Sequence, residues 1–389
     1  IAVGVWSGVS GLAIALGPVL GGLLLQHFWW GSIFMVNLPV IAVALVLGAV
    51  LLPESKDPSP GRFDLLGAVA SVTVIGVFIW TIIEAPARGW TSVATVAGFG
   101  AAAVLLALFI WWESRRDDPL LDIRFFKNPR FSAASVAISM AFFGLFGFIF
   151  MITMYFQFIR GYDTLKAGAA TLPFAVIMGA LSPLSILIVR KTGTKVVVSV
   201  GMLLMAAGLA VAATATVDSS YWGVVIVSMC LMAAGMALAT SPATDAILAS
   251  LPAAKVGVGS AVNDTVRELG GALGVAVVGS VMSWYYSSSL TASWSRLGVP
   301  PDTIRTGRES LGSGFATAQH LLPAQVEPAV HAVDAAFMHG LHAGSLAAAG
   351  AALLASLAAL LFLPQHDSPP PIERDHPERV LAVPEPRGR

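Results

Sequence analysis

The 389-residue sequence predicts an all-α membrane protein, and three observations carry that prediction. Hydrophobic residues make up 56% of the chain and charged residues 11%, with a mean hydropathy of +0.80, whereas soluble globular domains carry roughly 25% charge. The apolar residues are gathered into long uncharged runs. Lys and Arg crowd the loops on one side of those runs, so the formal net charge of +0 hides a strong asymmetry.

Roughly 20 apolar residues cross a bilayer as a helix, and only helices and closed barrels satisfy the backbone there. Uncharged runs cover 1–26, 28–53, 65–83, 91–112, 131–159, 167–189, 196–217, 219–244, 269–295 and 335–365. All are too long for barrel strands, so ten transmembrane helices are predicted, the longer ones tilted or extended into the interface. The positive-inside rule orients them. Arg115, Arg116, Arg124, Lys127 and Arg130 follow the fourth run, Arg190, Lys191 and Lys195 the sixth, Lys255 and Arg267 the eighth, and Arg374, Arg379, Arg387 and Arg389 the last. The C-terminus is therefore expected in the cytoplasm, with the first run pointing outward.

The first run holds Gly4, Gly17-Pro18 and Gly21-Gly22. Both residue types are disfavoured inside soluble helices. In lipid no hydrophobic force pulls helices together, and small residues that let backbones touch become useful. Gly270, Gly271, Gly274 and Gly279 form a second such stripe, read as helix packing. Run 131–159 is aromatic. Phe143, Phe146, Phe150 and Met154 fall on one face, and such a surface suits flat lipophilic or cationic ligands; the plainer alternative is packing against neighbouring helices.

Ionisable residues at membrane depth are costly and often functional. Asp245 lies one turn beyond Pro242 and is a candidate for proton coupling, which requires burial to bring a carboxylate towards neutral pH; the alternative is an interfacial Asp at a helix end. Asp264, Arg267 and Glu268 share one helix face. Asp264 is the second candidate for proton coupling, while Arg267 and Glu268 form an expected cytoplasmic ion network with Arg190 and Lys195. Glu84 and Asp334 read as interfacial anchors, and His339 and His342 as wall residues without the third ligand a metal needs. Cys230 is the one cysteine, which excludes an internal disulfide. No HExxH or GxSxG motif points to an enzyme.

The loops divide the chain. Segment 113–130 mixes both charge signs and carries Leu120, Leu121, Ile123, Phe125 and Phe126, as expected of a surface-lying amphipathic linker. Segment 296–334 is expected outside, with short helices capping the bundle. The tail 364–389 is rich in Pro and charge and reads as disordered.

Three motifs then narrow the choice. Gly4 with Gly17-Pro18-x-x-Gly21-Gly22 resembles the fifth-helix antiporter motif of the major facilitator superfamily, with Ala13 in place of a usual Gly. The run from Trp30 through Ile33-Phe34 to Asn37 and Pro39 is similar to the start of the sixth helix in its drug:proton antiporters, with Gly31 where Arg is usual. Residues 258–281, VGSAVNDTVRELGGALGVAVVGSV, resemble a signature of the fourteen-helix drug:proton antiporter branch, with Asp264 for Asn and Glu268 for Gln. PLSILIVRKTGTK at 183–195 looks like the weaker second-half copy of the superfamily's cytoplasmic loop motif.

The resemblance implies the major facilitator fold with about ten of fourteen helices. Residues 1–52 would be the last two helices of an N-terminal bundle, 53–130 two inserted helices and a linker, and 131–363 a six-helix C-terminal bundle. It implies proton-coupled efflux of lipophilic or cationic drugs and antiseptics across the cytoplasmic membrane, no cofactor beyond the proton gradient, and no nucleic acid. The Gly17–Gly22 seam would pack on 167–189, so that Gly21→Leu disturbs both packing and transport. Helices one to four of the same protein are the partners expected to be missing before Ile1. A carrier for an endogenous metabolite or lipid, and a non-transporting remnant, are the rival readings.

Overall fold

The computed structural model describes residues 2–51, 64–116, 119, 121, 123–252 and 255–364. The expected disordered tail beyond Pro364, Leu120 of the linker and the loop residues Lys56 and Arg62 lie outside the described residues. All regular structure among those described is helical. The chain begins with α1 (Ala2–His27), α2 (Ser32–Met35) and α3 (Asn37–Leu51), followed by a hairpin of α4 (Leu65–Arg88) and α5 (Val93–Glu113). A bundle follows, built from α6 (Pro129–Met154), α7 (Thr164–Ala169), α8 (Leu172–Thr192), α9 (Thr194–Ala212), α10 (Ile226–Ala249), α11 (Val256–Arg296) and α14 (Pro323–Phe362), with α12 (Pro301–Gly307) and α13 (Leu311–Gln319) between the last two.

Nine helices among the described residues are long and apolar enough to cross a membrane, and they match the second to tenth sequence runs. The first run is the 26-residue helix α1. The second is interrupted between α2 and α3, because Pro39 has no N–H to return to the carbonyl of Met35. None of the residues of α3 is buried.

The cap differs from its expected outline. Helix α11 runs unbroken for 41 residues and α14 for 40, about 60 Å each at 1.5 Å per residue, roughly twice a bilayer's apolar core. Pro323 starts α14, a position that suits proline because a first-turn N–H has no partner. Residues 323–334 of the segment expected outside belong to α14, and the short helices α12 and α13 lie between it and α11. Trp294 is fully buried there and donates from Nε1 to the Ala329 carbonyl at 3.2 Å. The Tyr286 hydroxyl donates to the Gly307 carbonyl at 3.0 Å. Among the described residues of the linker, Ile123–Lys127 forms a 3₁₀ turn whose Phe125 and Phe126 meet the ring of Phe131.

Close backbone approach holds the bundle. A Cβ on Gly235 of α10 would lie 2.5 Å from the Gly201 carbonyl oxygen of α9, and one on Gly208 would lie 2.8 Å from the Ser228 carbonyl. Methionines fill the remaining space, with Met202, Met205, Met232 and Met236 fully buried, as befits an unbranched side chain that fits irregular gaps.

The hairpin is locked at its open end. Asp64 caps α4 by accepting from the Gly67 amide at 2.9 Å, takes a second bond from Trp112 Nε1 at 2.9 Å, and faces Arg116 Nη2 at 3.5 Å. Glu113 is buried alongside and accepts from the Leu121 amide at 3.1 Å. The Gly67 amide foremost, then Trp112 and Arg116, hold the Asp64 carboxyl below its ordinary value against the opposing effect of burial. Glu84 pairs with Arg88 at 3.1 Å near the hairpin's turn, consistent with its reading as an anchor.

Gly235→Ala is expected to destabilise the bundle by about 1–3 kcal/mol, the usual range for overpacking. Gly350→Ala, where an added Cβ meets nothing within 4 Å, should leave the melting temperature in detergent unchanged. Asp64→Asn should lower the melting temperature at neutral pH. Because the folded carboxyl sits below its reference value of 3.8, its stabilisation is present above that pH and lost as pH falls through the lower folded value. The melting curves of wild type and D64N should therefore converge in strong acid.

Candidate functional site

Helix α1 lies across α7 and α8 and brings the first glycine run against the bundle. A Cβ on Gly168 would collide with the backbone of Pro18, and a Cβ on Gly22 would lie 2.5 Å from the Thr164 carbonyl oxygen. The Thr164 hydroxyl donates back to the Gly22 carbonyl at 3.3 Å. Packing of the first run on 167–189 is thus observed, and it begins three residues earlier, at Thr164. The contact residues differ from the expectation. Gly17 and Gly21 face open space, where a Cβ meets nothing within 4 Å, so the steric constraint assigned to Gly21 belongs to Gly22 and Gly168. Gly4 lies in the opening turn of α1, far from this crossing along the helix.

At the other end of the bundle, α10 and α11 share a chain of polar contacts. Arg267 Nη2 donates to Thr244 Oγ1 at 3.1 Å, Thr244 donates to Asn263 Oδ1 at 3.1 Å, and Asn263 Nδ2 reaches Asp264 Oδ1 at 3.4 Å. Thr244 and Asn263 are each 2% exposed, and the Arg267 guanidinium lies 5.2 Å over the ring of Phe142. This cluster replaces the carboxylate-centred picture. Asp245 is exposed, and its neighbour Thr244 is the side chain that turns into the bundle; Asp264 and Glu268 are exposed as well. Asp245 thus lacks the burial that motivated its choice, because it follows Thr244 by about 100° on the helix and falls on the outer face.

Arg267 is held by a hydroxyl and a ring, with Asp264 one turn away on the same helix. Arg190 and Lys195 flank Gly193, whose φ of +86° makes the α8–α9 turn with a backbone that other residues rarely adopt. Arg190 is exposed and Lys195 partly so, and among the described residues neither forms an ion pair with Glu268. The expected network is therefore split between the α8–α9 turn and the α10–α11 contact.

The aromatic stripe and the glycine stripe prove to be one interface. A Cβ on Gly274 would strike the Phe143 backbone, one on Gly271 would lie 3.1 Å from the Phe146 ring, and one on Gly279 would lie 3.4 Å from Phe150. Phe143 is buried, Phe146 is 38% exposed, and Phe150 and Met154 are partly buried. The Phe143 backbone and the rings of Phe146 and Phe150 thus meet the glycines of α11. The histidines join helices: His339 Nδ1 lies 3.0 Å from Ser289 Oγ, and His342 Nε2 lies 2.7 Å from the Ala215 carbonyl. Sequence reasoning passed over Thr244 and Asn263. An amide four residues, about one helical turn, before Arg267 was the available signal, since polar side chains near membrane depth need partners.

Thr244→Val removes one acceptor of Arg267 and the donor to Asn263 in one isosteric step. It is expected to cost about 1–3 kcal/mol in a thermal melt, the price of stranding buried polar groups, whereas Asp245→Asn at the exposed neighbour should cost little.

Comparisons place this geometry in a family. Residues 1–275 match the Major Facilitator Superfamily model. The chain is 32% identical over 356 residues to the multidrug efflux pump LfrA of Mycolicibacterium smegmatis, covering 92% of this chain and 70% of that protein. It is 31% identical to the multidrug resistance protein Stp of Mycobacterium tuberculosis, over 78% of this chain and 56% of that protein. With the methyl viologen resistance protein SmvA of Salmonella typhimurium it shares 30% identity, over 91% of this chain and 70% of that protein. The chain thus spans between 56% and 70% of the length of these relatives. A helical membrane bundle with a glycine–proline seam, matched over most of its length by the family model and by efflux proteins, belongs to the Major Facilitator Superfamily.

Proposed function

We propose that these helices form part of a proton-coupled exporter of lipophilic or cationic drugs and antiseptics in the cytoplasmic membrane. The observation that carries the reading is the α1 seam. Pro18 and Gly22 meet Gly168 and Thr164 without any intervening side chain, and such a contact closes a path between two helix groups when they rock together. Relatives named for multidrug efflux and for methyl viologen resistance support the choice of substrate class. Protons enter the reading through the Asp264–Asn263–Thr244–Arg267 chain. The reading sets the α8–α9 turn and the C-terminal end of α14 in the cytoplasm, supported by the Lys and Arg that follow even-numbered sequence runs.

The test is ethidium movement in everted vesicles that contain the protein. An imposed proton gradient should drive ethidium transport, an uncoupler should abolish it, and Gly168→Leu should abolish it while leaving the amount of inserted protein unchanged. Gradient-driven movement that persists in G168L would overturn the role of the seam. Absence of gradient-driven movement in wild type would overturn the exporter reading in favour of a carrier for another solute or a non-transporting chain.

A further inference from the structure

A cavity of about 190 Å³ lies beside the seam, between α1 and the end of α6 with α7. Three features separate it from ordinary packing space. First, it adjoins the π turn Tyr155–Ile159 that ends α6; such turns add a residue to the helix and recur at functional sites. Second, the polar groups on its wall are not used up. Gln157 is half-buried and Thr153 exposed, and neither side chain makes a hydrogen bond among the described residues. The hydroxyls of Thr164 and Thr171 donate to the carbonyls of Gly22 and Gly168, which leaves each oxygen able to accept.

Third, no charged side chain lines it. The ionisable groups that follow the π turn in the chain are engaged elsewhere: Arg160 donates to the Ser219 carbonyl at 3.0 Å, Lys166 lies 4.1 Å over the Tyr162 ring, and Asp163 caps α7 by accepting from the Lys166 amide at 2.7 Å. An ionic group placed in the cavity would lose hydration with no counter-charge to replace it. An uncharged donor or acceptor would find Gln157, which offers both. Pro18, Thr153 and Thr171 also line a second, narrow cavity of about 30 Å³ walled by Phe148, Ile152 and Phe174, so a small apolar cleft adjoins the polar chamber.

We propose that this cavity binds the uncharged, hydrogen-bonding end of a lipophilic molecule, with Gln157 and Thr153 as the residues that recognise it. The chamber is smaller than a typical drug pocket of 300–1,000 Å³, so it holds one substituted ring and leaves the rest of the molecule outside it. Its occupant touches α1 on one side and α6–α7 on the other, and therefore binds best when the seam is closed. The site stands without the export reading, because it concerns binding and not movement.

Quinizarin, a neutral dihydroxyanthraquinone, is the probe, and ethidium is its charged counterpart. Both are titrated against the full chain in lipid nanodiscs. Gln157→Met keeps side-chain length and removes the amide; Thr153→Val is isosteric at an exposed position and guards against a folding defect in the first variant. Quinizarin binding is expected to weaken by roughly threefold to tenfold in each, the loss of one hydrogen bond, with ethidium binding and melting temperature unchanged. Unaltered quinizarin affinity in both variants, or no saturable quinizarin binding to wild type, would overturn the proposal. Equal weakening of ethidium would overturn the preference for uncharged groups. None of these outcomes depends on whether vesicles export ethidium.

Discussion

Helices in a bilayer gain nothing by hiding apolar surface from one another, since the lipid is equally apolar. What remains is van der Waals contact, which falls away within an ångström of extra separation. The structure is organised by that constraint. Wherever two helices must hold a fixed relation, a glycine removes the side chain between them: Gly201 with Gly235, Gly208 against Ser228, Gly274 against Phe143, and Gly22 and Gly168 across the seam. The same device thus serves contacts inside the bundle and the contact between the bundle and α1. The difference lies in what surrounds each. The α9–α10 contact is enclosed by buried methionines, while the seam lies beside a chamber walled by Thr and Gln. A close contact next to open, polar space is the easier of the two to part.

Polar groups obey the complementary constraint, that an unmet donor or acceptor at membrane depth costs several kcal/mol. Buried hydroxyls return to the preceding turn, as Ser135 does to Phe131 and Thr240 to Met236. Other polar side chains link helices, and one group of them lies where α10 meets α11. There a Thr and an Asn hold an Arg against an aromatic ring, and the carboxylate that ends the chain of contacts stays at the surface. An Arg is suited to the arrangement because its flat guanidinium can stack on a ring while its N–H groups bond in the plane.

These two constraints explain which residues the sequence disclosed. The span positions, the Gly stripes and the cap-forming segment are properties of the chain's own periodicity and composition, and nine of the ten runs recur as long apolar helices among the described residues. The family motifs likewise identified α1 as a seam and α8 as its partner. Individual site residues were less legible. Asp245 was chosen for its depth along the sequence, yet a step of one residue on a helix turns a side chain by 100°, and Thr244 took the inward direction. Phe143, Phe146 and Phe150 share a face as expected, but what that face meets depends on another helix more than a hundred residues away.

The sequence by itself determined that the chain is a helical membrane protein, where its helices lie, and to which family it belongs, because hydropathy and glycine spacing are local and additive along the chain. Only the tertiary structure decided that Gly22 and Gly168, and not Gly21, close the seam, that Thr244 and Asn263 hold Arg267, and that the π turn sets Gln157 beside a cavity. Each of those depends on the rotation of one helix about its axis relative to a neighbour, which is fixed by steric fit between distant segments and leaves no trace in the order of residues along either one.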